Sequence, residues 1–322
     1  MRKWLAWGAL LLVSCTGWSA GRSVVTGSPK PSPTGTLTCQ LPVYLENGPD
    51  WGNGMTGTGF VGFPAGDFIA DAAGDMMSPY FGRTYDWAAL KWLPVDSYAV
   101  APDGLSYVIP NNSTIEWDLV DARSGTRRAL AAMKDWDLAS YQKEGIYLVK
   151  RGDGSGQPGL WLLDTSTSAI RQVTSQGNWT SFGGGGAWDF TSATLKRLDL
   201  ESGQVTTWYV SDGRANQLLG HDQAGRPLLA LKHSPGTLLF SPTDLFELAA
   251  PGELVKLMST DGNSQISVPV SDQHGVWFSV GTVIWLYSNG SLHKVATLPS
   301  RGEEPAGAAW VQVTGDCSSR SA

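Results

Sequence analysis

The sequence predicts an all-β fold, a six-bladed β-propeller, with seven blades as the alternative. Three observations carry this expectation. First, the 322 residues include 39 Gly, 18 Pro and 15 Trp, and only 16% are charged. Gly and Pro supply turns, while aromatic and β-branched residues suit strands. Second, no long stretch shows a capped 3.6-residue apolar period, so helices should be few. Third, a turn flanked by alternating apolar residues returns about every 40 residues.

The chain opens with "MRKWLAWGALLLVSC". Arg2 and Lys3 form a positive n-region, and residues 4–13 an apolar run too short to span a bilayer as a mature helix. The segment ends in Leu12-Val13-Ser14-Cys15, which resembles a bacterial lipobox. That resemblance implies cleavage before Cys15 and lipidation of the new N-terminal cysteine. Each buried methylene then adds ~0.8 kcal/mol of membrane affinity. The alternative is an ordinary signal peptide cut after Ser19. Either way residues 1–14 read as a signal peptide. Residues 15–38, rich in Ser, Thr, Gly and Pro, read as a flexible tether, lipid-anchored or free.

The folded domain is expected over residues 39–317, with a short tail at 318–322. Its first blade should lie within 39–96, where "CQLPVYL", "GFVGFPAG", "DFIAD" and "ALKWLPV" are strand-like. Five further copies follow: "IEWDLVDARSGTRRAL" (115–130), "LWLLDTSTSAIRQV" (160–173), "LKRLDLESGQVTTW" (195–208), "LFELAAPGELVKL" (245–257) and "IWLYSNGSLHKV" (284–295). Their turn residues are Gly125, Ser168, Gly203, Gly252 and Gly290, at intervals of 43, 35, 49 and 38. A second marker, Gly104, Gly145, Gly185, Gly225 and Gly275, recurs at intervals of 41, 40, 40 and 50. Units of this size hold about four strands and bury both faces only by stacking around an axis. Asp121, Asp164 and Asp199 share one repeat position beside the turn, which points to capping of turn N–H groups.

"APDGLSYVIP" followed by "IEWDLVDARSG" resembles the TolB-like and WD40-like propeller repeats, over roughly residues 97–298. The likeness bears on fold. No copy pairs a Gly-His with a closing Trp-Asp, so a WD40-type partner surface is not implied. In propellers a C-terminal strand often completes the N-terminal blade, and "AAWVQVTGDC" (308–317) is suited to that. Cys39 and Cys317, an even pair in an exported chain, read as a disulfide that locks the closure.

The formal charge is −6; loss of Arg2 and Lys3 leaves 21 basic against 29 acidic residues, or −8. That balance, without a basic stripe, argues against nucleic acid as a partner. His221, His233, His274 and His293 show no metal-ligand spacing, so no metal is expected, and no motif implies a cofactor. His293 reads as an exposed strand residue, and His221 and His274 as hydrogen-bonded turn residues. No GxSxG elbow or spare cysteine offers a nucleophile, and no catalytic residue is assigned.

Candidate ligand-binding residues are Trp92, Trp136, Asp137 and Trp179, near blade junctions that would lie at a channel mouth. The competing reading has these tryptophans filling the space between blades. The expectation is therefore an exported, lipid-anchored monomer at the outer face of the bacterial cell envelope. It would be a non-catalytic module that binds or scaffolds an extracellular protein, peptide or glycan. Secretion without an anchor is the alternative address. A propeller lyase or glycoside hydrolase is the alternative function, and membership of an envelope assembly a third, by analogy to TolB alone.

Overall fold

The computed structural model describes residues 24–26, 37–46, 57–74, 82–111, 116–151, 157–191, 193–212, 216–222, 224–233, 242–261, 266–298 and 310–319. Residues 1–14, read from the sequence as a signal peptide, and Cys15 lie outside the described residues.

After a short strand β1 (Val24–Thr26), blade 1 takes β2 (Gln40–Glu46), β3 (Gly57–Gly62) and β4 (Asp67–Ala70). A hairpin of β5 (Thr84–Asp86) and β6 (Lys91–Leu93) follows, paired only to itself. Blade 2 holds β7 (Ser106–Asn111), β8 (Glu116–Asp121) and β9 (Arg127–Ala129), and its inner strand is reduced to one bridge between Val100 and Tyr107. Blade 3 comprises β10 (Trp136–Gln142), β11 (Gly145–Lys150), β12 (Gln157–Leu163) and β13 (Ile170–Thr174). Blade 4 comprises β14 (Trp179–Gly183), β15 (Gly186–Phe190), β16 (Thr194–Asp199) and β17 (Val205–Val210). Blade 5 comprises β18 (Asn216–His221), β19 (Pro227–Lys232), β20 (Thr243–Ala250) and β21 (Glu253–Thr260). Blade 6 comprises β22 (Val270–Asp272), β23 (Gly275–Val280), β24 (Val283–Ser288) and β25 (Ser291–Thr297).

The last strand, β26 (Trp310–Val313), becomes the inner strand of blade 1, antiparallel to β2 from Val43↔Val313 to Glu46↔Trp310. The ring thus has six blades. The Cys39–Cys317 disulfide stands beside this seam, with Cα atoms 5.5 Å apart. Pairing continues one step further, through a bridge between Gln40 and Ser318.

The repeat turn joins the third and fourth strands of blades 2–6. Its residues Gly125, Ser168, Gly203, Gly252 and Gly290 all have φ between 61° and 80°. Beside it, Asp121, Asp164 and Asp199 cap as expected. Asp164 Oδ1 accepts the N–H of Ser166 (2.8 Å) and of Thr167 (3.1 Å), and Asp199 Oδ1 accepts that of Ser202 (2.8 Å). The Ser166 hydroxyl and these N–H groups hold the Asp164 carboxyl down at about 2.

The core lies between blades. Trp188, Leu195, Tyr209, Leu229, Phe246 and Leu248 pack blade 4 against blade 5. Leu41, Val43, Val61, Trp277, Val311 and Val313 do the same for blades 1 and 6.

Three expectations need correction. The region 39–96 is not all blade 1: "ALKWLPV" supplies β6 of the separate hairpin, whose Trp92 and Tyr85 pack on Phe60 of blade 1. Cross-strand pairing of Lys91–Leu93 satisfies only β5, because blade 1 already has four strands. Within the stretch read as a tether, Val24–Thr26 pairs in parallel with Leu254–Lys256 as a fifth strand on blade 5. Its β-branched residues suit that edge. Finally, His293 is buried at 6% exposure rather than exposed, because its strand is covered on that face.

Candidate functional site

In blades 3 to 6 the first strand is innermost and antiparallel to the second, so these strands run the same way along the axis. Their ends, with the bridge region of blade 2 and the segment after β26, enclose a central channel of about 710 Å³. Residues of blades 2 to 6, of the β5–β6 hairpin and of the segment after β26 line its wall. The volume is in the range of small-molecule sites.

Carboxylates gather at one side of this channel. Asp86 comes from the end of β5, Asp103 from the turn entering β7, and Asp316 from the segment following β26. Two bonds clamp the hairpin to that segment. The Tyr85 N–H donates to the Thr314 carbonyl (2.8 Å), and the Trp87 indole N–H donates to the Asp316 carbonyl (2.8 Å). Gly104 sets the approach of the third element. Its φ is +69°, and a Cβ there would lie 2.4 Å from Asp86 Oδ2, so only glycine lets this turn close on the carboxylate.

Asp86 is 8% exposed and its Oδ1 accepts the Ala89 N–H at 2.6 Å. Loss of hydration raises its carboxyl, with a further push from Asp103, against the pull of backbone N–H groups and Arg123. Asp316 is exposed to the lumen, yet the channel walls surround it on most sides. The poorer hydration there, with Asp272 and Asp86 nearby, raises its carboxyl to about 6, and His274 pulls it the other way. Asp272 is itself engaged: Oδ2 accepts the Cys317 N–H (2.7 Å) and Oδ1 that of His274 (2.7 Å). Tyr98, 50% exposed, and Val268, 64% exposed, add aromatic and apolar surface to the wall. Among the described residues, no group of three or more His, Cys, Asp or Glu side chains is arranged to hold a metal ion.

His221 ends β18 on the channel wall but packs between blades. Its ring stacks on Trp188 of blade 4 (4.7 Å between centroids, 24° between planes). It is 4% exposed, its Nε2 has no hydrogen-bond partner and its carbonyl accepts the Ser271 hydroxyl (2.7 Å), so it is a buried strand residue whose ring packs rather than bonds. Desolvation lowers its pKa to about 3. The next residue, Asp222, is paired with Arg226, which also reaches Glu247 at 2.6 Å.

The four residues singled out from sequence are not brought together on this wall. Trp179 is 1% exposed between blades 3 and 4, its indole donating to the Gln176 carbonyl (2.5 Å). Trp136 packs on Trp161 (4.8 Å), and Asp137 pairs with Arg151 at 3.0 Å. Trp92 is 3% exposed under the hairpin and donates to Asp71 Oδ2 (3.0 Å). The carboxylates that do converge come from the hairpin, from the turn at the Gly104 marker and from the segment after β26.

No protein-family model and no curated protein matches the sequence. Similar solved structures include TolB from Acinetobacter baumannii, at 14% identity over 86% of this chain and 67% of that one, with TM-score 0.44. A protein from Lactobacillus plantarum is 11% identical over 85% and 99% of the two chains, with TM-score 0.47. A putative 6-phosphogluconolactonase from Bacteroides fragilis is 12% identical over 83% and 98%, with TM-score 0.40. These likenesses assign neither family nor activity. On its own strand pairings, the chain is a six-bladed β-propeller closed by its two ends, with carboxylates gathered along one side of its axial channel.

Proposed function

We propose that the protein is an exported, lipid-anchored, non-catalytic β-propeller that serves as a binding or scaffold module at the bacterial cell surface. Its ligand site is the channel mouth bordered by Asp86, Asp103 and Asp316. The observation that carries this reading is the open channel of about 710 Å³, lined by blades 2 to 6, the β5–β6 hairpin and the segment after β26. The lipobox-like Leu12–Cys15 motif supports the address, and the Cys39–Cys317 bridge is compatible with an oxidising compartment.

Two experiments test the two halves. Palmitate should label the wild type, and Cys15→Ala should abolish the label. Undiminished labelling of that variant would sink the anchor. Glycan and peptide arrays probed with the full chain should yield a ligand whose binding is weakened by Asp103→Asn.

One observation favours a lyase or glycoside hydrolase as the second reading. Asp316 and Asp86 line one mouth, close enough for Asp86 to raise the Asp316 carboxyl, and a pair of carboxylates is what acid–base hydrolysis of a glycosidic bond uses. Turnover of any oligosaccharide that is lost in Asp316→Asn would replace the module by an enzyme.

A further inference from the structure

We propose that the channel mouth binds an organic cation, an ammonium or guanidinium group, held by Asp86, Asp103 and Asp316 against Tyr98. This rests on the binding reading above and names the chemistry of its ligand.

The first support is a charge left uncompensated. Asp86 is 8% exposed, lines the channel, and has no Lys, Arg or His within ion-pair distance among the described residues. Asp103 and Asp316, on the same wall, likewise have no ion-pair partner. Arg123, whose field reaches Asp86, donates instead to the Ala88 carbonyl at 3.3 Å. Of the other buried carboxylates, Asp222 and Glu247 share Arg226, Asp244 pairs with Lys256 at 2.8 Å and Asp118 with Arg127 at 3.6 Å; Asp189 alone has no such partner among the described residues, and it does not line the channel. A buried carboxylate without a counter-charge is costly, and a bound cation removes that cost.

The second support is shape. The carboxylates border a space far larger than a single metal ion and do not close into a metal-ligand group. Tyr98, 50% exposed, offers an aromatic face of the kind that attracts organic cations.

Binding should fade in acid. Asp316 faces Asp272 and His274 of blade 6 and Asp86 of the hairpin, while Asp86 in turn faces Asp103. Together with desolvation, the acidic neighbours hold Asp316 at about 6, so it loses its charge as the pH falls through that value.

Calorimetric titration of the full chain at fixed ionic strength tests this, with spermidine and a Lys-rich peptide as probes. Saturable binding is expected at pH 7.5, about fourfold weaker at pH 5.5, where about a quarter of Asp316 stays ionised, and at least tenfold weaker in Asp316→Asn. Glu201→Gln, an exposed acidic residue at a blade 4 turn, should bind as wild type does. Tighter binding of the peptide than of spermidine would place the cation on a macromolecule, and the reverse on a free polyamine. Asp86 is buried and its variants risk misfolding, so Asp316→Asn and Asp103→Asn decide. Affinity unchanged in both, or no saturable binding of either probe, overturns the proposal. A neutral glycan bound at the mouth would also overturn it while keeping the module. Loss of the module itself would appear separately, as oligosaccharide turnover.

Discussion

Blade 1 and blade 4 have the same four-strand order and opposite origins. Blade 4 folds from consecutive chain, with β14 to β17 joined by short turns. Blade 1 places β26 beside β2, so its inner pairing joins residues more than 260 positions apart. Each hairpin of blade 4 needs only a small loop closed. Blade 1 is complete only when the whole ring has formed, and closing so long a loop is entropically unfavourable. The disulfide, with a sequence separation of 278, stands at the one seam that local pairing cannot support.

This contrast can be broken or sharpened by measurement. The largest loss should come from blade 4's central aromatic. Trp188 is 0% exposed and packs on both Trp208 and His221. Trp188→Ala should cost about 3–5 kcal/mol in denaturant unfolding. A loss below about 1 kcal/mol would show that blade 4 is not the compact unit described.

Cys39→Ser should cost about 2–5 kcal/mol. Its signature is local: amide exchange should rise first in β26 and β2, while β15 and β16 stay protected. Uniform loss of protection across all blades would erase the distinction between seam and continuous blade.

A third measurement concerns the contact of blade 4 with blade 5. His221 is buried, mainly desolvated, and has its pKa lowered from 6.5 to about 3 despite the opposing Asp222 charge. With the folded value below the unfolded one, the neutral ring is stabilising above pH 6.5. That contribution is lost progressively as the pH falls toward 3, by at most about 1.4 kcal/mol per pH unit. His221→Gln should flatten the stability profile between pH 6 and 4. An unchanged slope would mean that other groups set it.

The smallest effect is expected at the repeat turn. Ser168 holds φ 61° where the other four copies have glycine. Ser168→Gly should stabilise by about 0.5 kcal/mol, read as a small rise in Tm, because glycine carries no Cβ penalty there. A fall in Tm would show that the serine side chain contributes more than its strain costs.

The repeat was legible because the backbone demands it. A left-handed turn between third and fourth strands requires glycine or a small polar residue, and that requirement recurs at Gly125, Ser168, Gly203, Gly252 and Gly290. Asp121, Asp164 and Asp199 were legible for the same local reason. The closing strand and the disulfide could be read from the chain's two ends. The channel carboxylates could not. Asp86, Asp103 and Asp316 belong to a hairpin, a turn and a terminal segment, and only ring closure makes them neighbours. The tryptophans misled for a related reason. Position along the chain places Trp136 and Trp179 at blade entries, but side-chain direction there depends on strand bulges, as between Leu138 and Ser140 and between Trp179 and Ser181. Such a bulge shifts the alternation of faces.

The parallel contact of Val24–Thr26 with blade 5 bears on how the ring is mounted. If lipid sits on Cys15, residues 16–23 are all that separate it from that contact, a reach of about 30 Å at ~3.5 Å per residue. The ring would then hang from its rim, at the outer edge of blade 5, as a wheel from a strap, rather than stand on its hub.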